Sequence, residues 1–153
     1  MRIATVLLAI FVLGGSTQAQ EKKGKGLKLK DLPATVQKTV QANLKGGEIK
    51  SISKEKEDGV EQYEVETMLN GKTRDFDVDS KGTLLVMEEG TTVDAIPAAA
   101  KTGILKKVGD GKLGTIETFT KPGQPMMYEA SYTDKKGKKH EVLVKADGSE
   151  TKE

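Results

Sequence analysis

The sequence predicts an α+β protein made of two tandem units, each a helix packed on an antiparallel sheet of about four strands. Three observations predict it. Tyr63-Glu-Val-Glu66 and Arg74-Asp-Phe-Asp-Val78 alternate apolar with polar residues on either side of Asn70-Gly71, a dipeptide suited to a type I′ turn, so a β-hairpin is expected there. A weaker copy follows downstream in the same order: Tyr128-Glu129-Ala130, Gly137-Lys138, Val142-Leu-Val144 and Gly148. Each hairpin is preceded by an apolar residue and a proline, then by apolar residues at helical spacing. Residues 31–90 are assigned to the first unit and 91–153 to the second.

Residues 1–19 read as a secretory signal: Arg2, an apolar run from Ile3 to Leu13, then small and polar residues ending at Ala19. The apolar run is too short to span a bilayer, which takes about 20 residues. Residues 20–30, rich in Lys and Gly, have too little apolar surface to offset the entropy of ordering and are expected to form a flexible leader, with a short edge strand as the alternative for Lys25–Lys30.

Asp31-Leu32-Pro33 opens the first helix, with the proline in a first turn where its missing N–H is no loss. Leu32, Val36, Val40 and Leu44 form its apolar stripe, and Gly46-Gly47 ends it. Glu48–Glu57 follows as a strand, but the three-residue spacing of Ile49 and Ile52 breaks alternation and leaves its register open. In the central hairpin the two-residue loop sets Tyr63 against Val78, Val65 against Phe76 and Thr67 against Arg74 on the core face. Gly82 closes the next turn, and Thr83–Met87 supplies the unit's last strand. Ile96, Ala100, Ile104 and Val108 repeat the helical stripe after Asp94, and Leu113 and Ile116 repeat the spacing of Ile49 and Ile52. A three-residue loop, Lys135-Lys136-Gly137, then pairs Tyr128 with Val144, Ala130 with Val142 and Tyr132 with His140.

Composition excludes several classes of function. Lys+Arg 25 against Asp+Glu 23 leaves no global field for nucleic acid or an anionic membrane, and 4% aromatic residues give no base-stacking surface. No stretch after the signal is apolar enough for stable membrane insertion. With no cysteine there are neither disulfides nor thiolate metal sites, so the fold rests on burial and hydrogen-bonded strands. His140, the single histidine, is a poor metal site alone, and no serine sits in a nucleophile-elbow context. Gly109-Asp-Gly111 lacks the strand before it and helix after it that a phosphate loop needs. No catalytic residue, cofactor or metal is therefore assigned.

The recurring Leu/Ile-Pro, amphipathic helix, Ile-x-x-Ile, Tyr-Glu, Gly-Lys and Val-Asp-x-x-Gly pattern resembles PepSY-like domains and the related β-lactamase-inhibitor-like (BLIP-like) repeats, in two copies over residues 31–153. The resemblance implies an exported protein that binds or inhibits other proteins. The disulfides of the β-lactamase inhibitory proteins have no counterpart here, so neither their target nor any inhibitory residue is carried over.

Two patches are candidates for binding. On the outer face of the first hairpin Glu66 is expected opposite Asp75 and Glu64 opposite Asp77, a like-charge arrangement that destabilises a sheet unless lysines such as Lys54 and Lys56, a cation or a basic partner neutralise it. It reads either as a solvated face that blunts edge pairing, as a protein-binding patch or as a Ca²⁺ site. Met126 and Met127 in one loop, with Lys135 and Lys136 at a hairpin tip, form a second surface if they share one concave side of the sheet. The expected function is that of an exported, non-catalytic protein-binding module in the periplasm or outside the cell, inhibition of a secreted or periplasmic enzyme being one form of it. The alternative is a small-ligand or Ca²⁺-responsive envelope domain.

Overall fold

The computed structural model describes residues 26–57 and 59–152; the predicted signal and residues 20–25 of the leader lie outside the described residues. Elements follow in the order α1 (Ala34–Leu44), β1 (Glu48–Glu57), β2 (Val60–Leu69), β3 (Lys72–Asp79), β4 (Leu84–Thr91), α2 (Ala98–Val108), β5 (Lys112–Thr120), β6 (Met127–Thr133), β7 (Lys139–Lys145) and β8 (Glu150–Thr151). A 3-10 turn over Leu29–Asp31 precedes α1.

The expectation of two α+β units is corrected by the strand pairing. Among the described residues eight strands form a single antiparallel sheet in the order β1 to β8, accompanied by two short α-helices, so the fold is dominated by one sheet. The seam is the ladder between β4 and β5, which pairs Met87 through Thr91 with Thr120 through Ile116. A strand at the end of a four-stranded sheet would leave its backbone N–H and C=O groups unpaired on one side; joining β4 to β5 satisfies both rows.

The helices pack on one face of this sheet. Each starts directly after a proline, Pro33 or Pro97, whose fixed φ suits a helix entrance. Leu32, Val36 and Val40 meet Ile52, Tyr63, Val65, Phe76 and Val78 in one cluster. Ile96, Ala100, Ile104 and Val108 meet Ile116, Ala130, Val142 and Val144 in another. Backbone approach at two turns fixes the helix positions. Thr39 Oγ1 of α1 donates to the Gly82 carbonyl at 2.6 Å, where a Cβ on Gly82 would collide with the Thr35 backbone. At α2, Gly103 and Gly148 interlock: a Cβ on Gly103 would overlap the Gly148 carbonyl, and one on Gly148 would overlap the carbonyl of Ala99.

Both hairpin registers follow the sequence pattern. Asn70 and Gly71 have φ of 53° and 80°, and Tyr63 pairs with Val78, Val65 with Phe76. In the second hairpin Tyr128 pairs with Val144, Ala130 with Val142 and Tyr132 with His140. The isoleucine spacing that sequence left open is a β-bulge. Between Ile49 and Ser51 the register shifts, which returns Ile49 to the same face as Ile52, and an equivalent shift lies between Leu113 and Ile116. The last residues of the predicted leader are tied down, with the Leu27 N–H bonded to the Ile52 carbonyl at 3.0 Å and Leu27 and Leu29 packed on the first cluster.

Candidate functional site

Alternation along the strands turns a second set of side chains to the face that carries no helix. Its edge begins with the hydroxyls of Ser51 and Ser53 on β1, opposite Glu66 and Glu64 of β2. Glu64 stands opposite Asp77 of β3, and Asp75 stands opposite Glu88 of β4. The four predicted carboxylates are thus brought to one face, Glu66 exposed, Glu64 and Asp75 half-buried and Asp77 buried.

Serines, rather than the lysines expected from sequence, meet these charges. Ser51 Oγ donates to Glu66 Oε2 at 2.5 Å and Ser53 Oγ to Glu64 Oε2 at 3.1 Å. Lys54 instead pairs with Glu61 at 3.1 Å. A hydroxyl supplies a dipole but no opposite charge, so the face stays crowded with like groups. Burial, followed by the nearby Glu55 carboxylate, pushes Glu64 up to about 7. Burial likewise raises Asp75 to about 6, aided by Glu117 and Glu66 and opposed by the Thr67 N–H.

Asp75 also alters the hairpin ladder. Its Oδ1 accepts the Thr67 N–H at 2.7 Å, while Thr67 Oγ1 donates to the Arg74 carbonyl, and the regular pairing is interrupted between Val65–Phe76 and Met68–Thr73. A carboxylate therefore replaces a backbone acceptor in the middle of the sheet. Arg74, only 6% exposed, points to the helix side, where it donates to the Asn43 carbonyl at the end of α1 and pairs with Glu89. One further link crosses the seam on the helix-free face. Gly90 has no side chain to obstruct Thr73 Oγ1, which donates to Glu117 Oε1 of β5 at 2.9 Å.

Beyond the carboxylates, Val86, Phe119, Met127 and Leu143 form a third apolar cluster with no helical member. Phe119 is fully buried, and the Lys121 ammonium lies 5.6 Å from its ring centre. The two predicted methionines separate in role: Met126 is 46% exposed before β6, whereas Met127 is 9% exposed and belongs to the cluster. Lys135 and Lys136 are exposed in the turn after β6. Strand geometry puts that turn roughly 20 Å from the methionines, at the other end of β6. Lys135 pairs there with Asp110 at 2.6 Å.

His140 stacks on Tyr132 with ring centres 5.1 Å apart, and its Nε2 lies 2.9 Å from Asp134 Oδ2, on the helix side and away from the carboxylates. Among the described residues no three His, Asp or Glu side chains are placed to hold a metal ion, and no helix is long and apolar enough to cross a membrane. Sequence reasoning missed Ser51, Ser53, Glu117 and Phe119 as parts of this face. The serine spacing was visible, but the bulge that sets the register of β1 was not.

The raised carboxyls have a measurable consequence. Between about pH 4.5 and 7 the folded protein keeps a proton on Glu64 that the unfolded chain has lost, so stability falls as pH rises through this window. Asp75 acts with the same sign up to about pH 6. Glu64→Gln is therefore expected to raise the unfolding free energy at pH 8, by about 1 kcal/mol after allowance for solvent screening, and to leave it nearly unchanged at pH 5. Chemical denaturation at both pH values checks this, and equal effects at the two would refute it.

No protein-family model matches the sequence, and no curated protein resembles it. Solved structures do resemble it in fold. A DUF2874 family protein from Bacteroides ovatus has a TM-score of 0.62 at 13% identity, over 79% of this chain and 85% of that one. A protein from Bacteroides eggerthii, provisionally described as periplasmic, has a TM-score of 0.64 at 14% identity, over 79% and 86%. A BLIP-like protein from Bacteroides fragilis has a TM-score of 0.58 at 15% identity, over 79% and 84%. The BLIP-like fold expected from the sequence pattern is present.

Proposed function

We propose that the chain is an exported, non-catalytic protein-binding module that uses the helix-free face of its sheet, with inhibition of an envelope or secreted enzyme as one outcome of binding. The observation that carries this reading is the combination on that face of Glu64, Glu66 and Asp75, met by hydroxyls and a backbone N–H rather than by opposite charges. A partner presenting Lys or Arg would compensate the carboxylates. The fold shared with a BLIP-like protein supports a binding role, and the provisional periplasmic description of another neighbour, with the signal-like residues 1–19, supports export.

The test is capture from periplasmic extract on immobilised protein, with Glu64→Lys and Asp75→Lys on the face and Lys136→Ala off it. A specific partner retained by the parent and by Lys136→Ala, lost from both charge reversals and released by added salt, is the expected result. Recovery of the same proteins by all four chains, or of none in proportion to bait, would count against the reading.

A further inference from the structure

We propose that protonated Glu64 donates a hydrogen bond to Glu55 across the β1–β2 ladder, and that a Lys- or Arg-bearing partner binds this face by displacing that proton. The inference rests on the binding role proposed above and adds its regulation. Register sets Ser53 of β1 opposite Glu64 of β2 and makes Glu55, paired with Gln62, the diagonal neighbour of Glu64 on the same face. Ser53 Oγ lies 3.1 Å from Glu64 Oε2 and 3.4 Å from Glu55 Oε1. A hydroxyl has one proton to donate, so Ser53 serves one of these carboxylates at a time. The two carboxyls are also in hydrogen-bond contact with each other, a bond that needs a proton between them. Glu64 is half-buried and Glu55 exposed, so the proton resides on Glu64, which burial and Glu55 push up to about 7.

The charged groups that face Glu64 among the described residues are acidic: Glu55 on β1, Glu66 on its own strand and Asp77 opposite on β3. Lys54, between Ser53 and Glu55, turns to the other face by alternation and pairs with Glu61. Asp75 has similar neighbours, with Glu66 on β2, Glu88 opposite on β4 and Glu117 on β5, and burial raises it to about 6. An ammonium or guanidinium reaching Glu64 supplies the charge that Ser53 lacks, so Glu64 ionises as the cation binds and its proton leaves to solvent. Binding therefore weakens as pH falls through about 7, and Asp75 adds a weakening of the same sign below about 6.

The test uses the full chain, carboxyl-labelled for NMR, with tetralysine at low ionic strength as the probe. Glu64 should titrate near 7; Glu55→Gln should lower that midpoint and Ser53→Ala should raise it, because the hydroxyl favours the ionised form. Calorimetry near pH 6.5 in buffers of different ionisation enthalpy should show about one proton released per tetralysine bound, and about none near pH 9. Affinity should fall about tenfold or more between pH 8 and pH 6. In Glu64→Gln, whose amide keeps the hydrogen bond to Glu55 at every pH, only the roughly twofold contribution of Asp75 should remain. Binding without proton release, or a Glu64 midpoint that Glu55→Gln does not move, would overturn the proton gate and leave the binding role standing. Failure of tetralysine to bind at any pH would overturn both.

Discussion

Gly148→Ala is expected to cost about 3–5 kcal/mol, a large share of the 5–15 kcal/mol that a domain of this size has in total. Two effects add. Gly148 has φ of 83°, a conformation that costs an L-residue about 1 kcal/mol or more. Its new Cβ would also overlap the Ala99 carbonyl, a backbone atom that cannot rotate away. Relief requires α2 to lift from the sheet, which loosens Ala100, Ile104 and Val108 together. Gly123→Ala is the control, since Gly123 has φ of 78° but open space where its Cβ would go. Unfolding free energies from denaturant titration should fall by about 1 kcal/mol for Gly123→Ala and several times that for Gly148→Ala; similar losses would show that conformation, not the contact with α2, sets the cost.

Phe119→Ala is expected to cost about 3–5 kcal/mol, as much as Phe76→Ala beneath α1. Both rings are essentially buried, at 0% and 2% exposure, yet only Phe76 lies in a cluster with helical residues. Equal losses in equilibrium unfolding would establish that the helix-free face holds a core of its own beside the carboxylates. A loss under about 1 kcal/mol would mean that Phe119 contributes as a surface residue.

The local elements were legible because short-range chemistry specifies them. Pro33 and Pro97 mark helix entrances, the stripes from Leu32 and Ile96 mark the buried faces, and Asn70-Gly71 sets a register that the hairpin keeps. The joining of β4 to β5 was not legible, because Met87–Thr91 and Ile116–Thr120 are matched only by the geometry that brings their edges together across α2. The acidic face was partly legible. Glu64 and Asp77 follow from the hairpin register, but the serines that meet Glu64 and Glu66 depend on a bulge, and the place of Asp75 in the ladder depends on a side chain displacing a backbone bond. Met126 and Met127 show the same limit. Adjacent residues at a strand entrance point to opposite sides, and only the neighbours of Met127 reveal which one is buried.

The order β1 to β8 also governs how the chain finds its structure. Every strand pairs with its neighbours in the chain, so contacts are short in sequence and loop-closure entropy stays small at each step. Six of the seven pairings close through a single turn or loop; the β4–β5 pairing alone must close over a helix. Assembly can therefore advance hairpin by hairpin, each closing in about 1–10 μs, with the seam as the slowest closure. Because Thr73 and Glu117 bridge that seam, the step that completes the sheet also creates a hydroxyl–carboxylate link between its two halves.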